Sequence, residues 1–113
     1  MPAVRSIDPG ARETLLRELR TFAARLATDV RAEQVVLFGS LARGDQHDGS
    51  DIDLLVVMPY EGRVFDAIGE VLSRTELPVE PVVVRPESLA RRLREAHPLF
   101  TRIMREGIRL YPA

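Results

Sequence analysis

The sequence predicts a mixed fold, α/β or α+β, in which helices pack on a small sheet. Two observations lead there. Short apolar runs rich in β-branched residues recur at Val35-Val36-Leu37-Phe38, at Ile52 to Met58 and at Val82-Val83-Val84, and each has the look of a buried strand. Between and around these runs lie stretches with helical apolar spacing, punctuated by Gly and Pro, so that helices alternate with strands.

The first helix is expected to start at Asp8-Pro9. Asp8 is suited to cap free amides, and proline suits the first helical position. Leu15, Leu19, Phe22 and Leu26 then draw one apolar stripe, and the helix should end near Thr28-Asp29. The strand Val35–Phe38 is stopped by Gly39, and a short helix is expected just after it. Residues 44–50 form a polar loop with strong turn chemistry. The second strand, Ile52 to Met58, ends at Pro59. Val64, Phe65, Ile68, Val71 and Leu72 fit a further amphipathic helix. Pro81 suggests an edge or irregular position for the third strand. Leu89 and Leu93 mark a helix from about Pro86-Glu87, and Leu99, Phe100, Ile103 and Met104 mark another, stopped by Gly107. Ile108 to Tyr111 is a last short strand.

The 113 residues suit one domain, 1–113. The formal net charge of −1 gives no strong signal for nucleic-acid binding. Without cysteine there is no disulfide framework, no Cys-based zinc site and no thiol nucleophile. The start lacks an apolar signal-peptide core, and no apolar run approaches the roughly 20 residues that span a bilayer, so no membrane role and a cytoplasmic location are expected.

The chemistry is concentrated in Leu37 to Val57, LFGSLARGDQHDGSDIDLLVV. Asp51 and Asp53 stand at i and i+2, so on a strand they share a face with Cα atoms roughly 6.6 Å apart. Magnesium prefers one or two carboxylates together with phosphate oxygens and water. Two like charges at the mouth of an apolar strand repel and lose solvation, and a divalent cation is the simplest compensation. Gly39-Ser40 reads as a strand-to-helix turn. There glycine permits close approach of a phosphate, the amides point at it, and the serine hydroxyl adds a donor. The plainer alternative is a tight turn with an N-cap. Arg43 is placed to reach a phosphate or to pair with Asp45. A calcium loop fails on spacing: with Gly49 sixth, the first and twelfth positions fall on Gly44 and Leu55.

The order of strand, Gly-Ser, Ala-Arg-Gly-Asp, loop, Ser-Asp-x-Asp and strand closely resembles the signature of the minimal (MNT-type) nucleotidyltransferases of the DNA polymerase β superfamily. The resemblance extends over the preceding helix, the strand Val79–Val84 and the closing Glu106–Tyr111. It implies a nucleotidyltransferase fold, a mixed β-sheet with helices packed mainly on one face. It implies that Gly39 and Ser40 contact the triphosphate of ATP and that Asp51 and Asp53 hold Mg²⁺. The family's third carboxylate, usually Asp on the later strand, falls on Glu80, which is one methylene longer and followed by Pro81; its candidate roles are metal ligand, the group that helps deprotonate an acceptor hydroxyl, or a solvated edge residue.

The reaction so implied is nucleotidyl transfer, with Asp51, Asp53 and Glu80 as the catalytic and metal-binding set and Gly39, Ser40 and Arg43 at the nucleotide. Larger polymerases of the superfamily hold the acceptor with extra domains, for which 113 residues leave no room, so a protein acceptor is expected. Small MNT proteins are commonly encoded beside HEPN-domain ribonuclease toxins and act as antitoxins, some by adenylylating the toxin on Tyr. The alternatives are a module that neutralises its partner by contact, and a transferase acting on a small molecule. Elsewhere, His47 reads as a loop histidine, His97 has no partner motif, and Arg91, Arg92 and Arg94 read as a solvated helix face or a partner surface. Tyr60 and Glu61 follow the Asp strand and are candidates to flank the nucleotide.

Overall fold

The computed structural model describes residues 9–45 and 51–113. The expected Asp8 cap, and His47 with most of its polar loop, lie outside those residues. The first helix, α1, runs Pro9–Asp29 and leads into β1, Gln34–Phe38. A short helix α2, Ser40–Arg43, follows Gly39, and β2 spans Ile52–Val57. Then come α3, Val64–Leu72, β3, Val79–Val84, α4, Pro86–Arg94, α5, Pro98–Glu106, and β4, Ile108–Tyr111. This is the order the sequence predicts. Proline occupies the first turn of both α4 and α5, where its missing N–H costs nothing.

The four strands form one sheet in the order β3-β2-β1-β4. β1 is antiparallel to both β2 and β4, and β2 is parallel to β3, so the sheet is mixed. Pro81 sits on an edge strand, as expected, and the β2–β3 register runs through it without a break, Leu54 opposite Pro81. Strand alternation gives each face its own core. Val35, Leu37, Leu54, Val56 and Val83 pack against α1, α2 and α3 through Leu19, Leu26, Leu41 and Val71. Val36, Leu55, Val57 and Val84 pack against α4 and α5 through Leu89, Phe100 and Ile103. The first cluster is the larger, so helices cover mainly one face while a smaller layer occupies the other. Among the described residues, no helix is long and apolar enough to cross a membrane.

Two expectations about helix faces need correction. In α1 the deeply buried leucine is Leu16, with Leu19, Phe22, Ala23 and Leu26, whereas Leu15 is half-buried. In α3 the buried line runs through Ala67 and Val71, while Val64, Phe65 and Leu72 are exposed, Phe65 to 76%. Only a narrow face of α3 is buried in the core, that of Ala67 and Val71.

Candidate active site

The site begins with strand parity. Leu55 and Val57 point to the α4–α5 face, so Asp53 points there too, and Asp51 precedes it by two residues. Val82 and Val84 share that face on β3, which brings Glu80 to it. Register then sets the carboxylates side by side: Asp53 is opposite Glu80 on β3 and opposite Phe38 on β1. Helices α4 and α5 cover the apolar rows of this face through Val36, Leu55, Val57 and Val84. Asp51 and Glu80 are exposed, and Asp53 is half-buried.

Gly39 closes the row from the other side. Its backbone, φ 79 and ψ −157, lies in a region that only glycine occupies readily. A Cβ there would collide with Oδ2 of Asp53. The glycine therefore lets the turn lie directly on the carboxylate, and Ser40 opens α2 immediately after it. Arg43, in the last turn of α2, pairs with Asp45 at 3.4 Å and is near enough for its charge to act on Asp53. All six site residues named by the sequence, Gly39, Ser40, Arg43, Asp51, Asp53 and Glu80, thus gather at one end of the sheet.

Electrostatics report the crowding. Burial raises the Asp53 carboxyl above its ordinary range, the Asp51 charge raises it further, and Arg43 pulls it down. The Glu80 carboxyl is also raised, first because in its protonated form it donates a hydrogen bond to Asp51, then by the charge of Asp51, by desolvation and by the charge of Asp53. These acids are held in each other's field, and a cation would relieve the cost. Among the described residues, no three acidic or histidine side chains are gathered as a ready-made metal cage. Mg²⁺ does not need one, since one or two carboxylates and substrate phosphates suffice. The hard oxygen donors of Asp51, Asp53 and Glu80 fit that ion in kind.

The candidates Tyr60 and Glu61 are elsewhere. They follow the far end of β2, where Arg85 lies 4.2 Å over the Tyr60 ring and donates to the Tyr60 carbonyl at 2.9 Å. Six residues of extended chain separate the two ends of β2. Arg12 was not singled out by the sequence. Its guanidinium reaches from α1 to donate to the carbonyls of Leu41 at 3.1 Å and Ala42 at 3.4 Å, tying down α2 behind Ser40. Nothing in the spacing of α1 marks that link, because it joins residues 29 and 30 positions apart.

A mixed sheet with acidic residues in register at its end, beside a Gly-Ser turn, defines the class: a transferase acting on phosphate esters or anhydrides. The chain belongs to the nucleotidyltransferase domain family, whose model matches residues 16–106. It is also similar to the crystal structure of a candidate nucleotidyltransferase from Sulfolobus solfataricus, with 31% identity and a TM-score of 0.59 over 71% of this chain and 75% of that one. No curated protein matches the sequence. The fold, the family and a nucleotidyl-transfer chemistry therefore agree.

Proposed function

We propose that the protein is a Mg²⁺-dependent adenylyltransferase that moves AMP from ATP to a hydroxyl of a partner protein, a HEPN-type ribonuclease toxin, and so acts as its antitoxin in the cytoplasm. The observation that carries the enzymatic part is the register of Asp53 with Glu80, with Asp51 close enough to raise the Glu80 carboxyl. Three carboxylates on one sheet face are the donor set that the reaction needs. Mg²⁺ held by Asp51 and Asp53 would supply charge neutralisation at the phosphates.

The remaining work falls to the chain itself. Gly39 and the amide and hydroxyl of Ser40 hold and orient the triphosphate, with Arg43 as an added cation. The acceptor oxygen bonds to the α-phosphorus, the bond from that phosphorus to the bridging oxygen breaks, and pyrophosphate leaves. The acceptor's proton passes to the ionised form of Glu80, an exposed carboxylate in register with Asp53.

The partner part is supported by the apolar stripe Val64, Phe65 and Leu72, exposed on α3. The same stripe favours a second reading, in which the protein neutralises its partner by contact alone. Mixing the protein with a cognate toxin, ATP and Mg²⁺ separates them. A mass increase of one AMP on the toxin, lost in Asp51→Asn, supports transfer. Neutralisation without any mass change supports contact. AMP appearing on an aminoglycoside but not on the protein would favour a small-molecule acceptor.

A further inference from the structure

Beside the acidic row a cleft of about 200 Å³ opens between Gly39 and α5. Phe38, Leu99 and Ile103 form its apolar walls, and Arg102 and Glu106 stand among its lining residues. Leu99, Arg102, Ile103 and Glu106 follow at i, i+3, i+4 and i+7, so α5 turns a single face to the cleft. Leu99 remains 42% exposed although the next residue, Phe100, is buried. Among the described residues, the Arg102 side chain makes no ion pair or hydrogen bond. Three wider grooves, of about 530, 600 and 420 Å³, are lined by none of the six site residues, whereas Gly39 and Arg43 line this cleft.

The cleft's chemistry selects its occupant. Phe38, Ala42, Leu99 and Ile103 make much of the lining apolar beside the two cations Arg43 and Arg102, and that apolar surface is of no use to a phosphate. At 200 Å³ the space is smaller than the roughly 300 Å³ at which pockets for drug-sized ligands begin, and it suits one ring system. A nucleobase has two apolar faces and a polar edge, which matches apolar walls with two cations and a carboxylate among them. Gly39 joins the two regions, since it lines the cleft and also abuts Asp53.

We infer that this cleft holds the purine ring of the nucleoside triphosphate, with Leu99 against the ring face, the Arg102 guanidinium stacked on it and the Glu106 carboxylate accepting from an exocyclic amino group. The inference rests on the phosphate site described above and extends it to the base. Guanidinium groups stack on flat aromatic faces, and a carboxylate accepts but does not donate, so the pair favours a base with an amino edge.

Calorimetry with two probes in Mg²⁺, ATP and inorganic tripolyphosphate, tests it. Leu99→Ser removes apolar wall at an already exposed position. It should weaken ATP by about tenfold and leave tripolyphosphate within about twofold, since an apolar contact of this size is worth near one such factor. Loss of both probes together, or of neither, overturns the inference while leaving the phosphate site standing. If the unsubstituted protein binds neither probe, the nucleotide reading itself fails, and the base cleft with it. Should the serine variant lose its melting transition, Leu99→Asn makes the same comparison. Glu106→Gln adds a second arm: its ratio of affinities for ATP and ITP should move toward one, and an unchanged ratio removes Glu106 from base recognition.

Discussion

The space that a Cβ on residue 39 would need is filled by the Asp53 carboxylate. One glycine thus sets how closely the Gly39-Ser40 turn can approach the acidic strand. Gly39→Ala has to move either the turn or the carboxylate, and it must also hold a side chain in a glycine-only backbone region. The expected cost is about 1–3 kcal/mol of stability. A denaturant series on Gly39→Ala, Asp53→Ala and the double variant measures the coupling. Gly39→Ala should cost less when Asp53 is already truncated, and strictly additive losses would show that the two residues do not press on each other.

Stability in the absence of divalent ions should fall with rising pH across the upper carboxylate range. Asp53 and Glu80 are both raised in the folded chain. The folded state therefore holds more protons than the unfolded one between the ordinary carboxyl values and the raised ones, and folding free energy is lost as pH climbs through that window. Below it the penalty is absent. Melting curves in EDTA from acid to neutral pH should show this slope, and Asp53→Asn should flatten it. A midpoint that rises over the same interval would contradict the assignment.

Glu80→Gln should keep Mg²⁺-dependent ATP binding, because Asp51, Asp53 and the phosphates remain. It should lower AMP transfer by at least about tenfold, the low end for losing a positioned proton acceptor. Binding is read by calorimetry and transfer by mass spectrometry on the modified partner. Equal transfer rates in the two proteins would take Glu80 out of the chemistry.

Phe65→Ser should reduce affinity for the protein partner and leave ATP binding untouched. Phe65 is 76% exposed, so the fold loses little by the change. Arg91→Glu serves as the comparison on the opposite layer. Arg92, its neighbour, is partly spent within the molecule, since it lies 5.5 Å over the Phe100 ring. A partner that responds to Arg91 and ignores Phe65 docks on α4 instead.

Gly107→Ala should destabilise the junction of α5 and β4. An added methyl would meet the carbonyl oxygens of Ile103 at 2.6 Å and Leu37 at 2.9 Å. Such overpacking costs about 1–3 kcal/mol. A melting transition within a degree or so of the parent protein would mean that the junction opens freely.

Much of this was legible in the sequence, for definite reasons. Gly39, Pro59, Pro86 and Gly107 mark element ends in ways that leave few alternatives, so the order of helices and strands came through. The spacing of Asp51 and Asp53 set them on one face before any strand pairing was known. Glu80 joined them only through the resemblance, because parallel pairing of β2 with β3 cannot be read from either strand. The buried face of α3 is not legible in the sequence, because Val64, Phe65 and Leu72 satisfy helical spacing as well as Ala67 and Val71 do. Periodicity reports an apolar side, and the sheet decides how much of it is covered. For Tyr60, nearness in sequence to Asp53 conceals the length of the strand between them.

The register that places Asp53 beside Glu80 joins residues on strands separated in sequence by all of α3, and β1 reaches its partner β4 only across most of the chain. Pairings so distant in sequence raise the contact order, so closure of the sheet is expected to be slow relative to helix formation. The carboxylate row has no existence before that closure. A chain caught partway can display helices and still be unable to engage Mg²⁺ and ATP together, which makes metal-dependent nucleotide binding a sharper reporter of complete refolding than helical content.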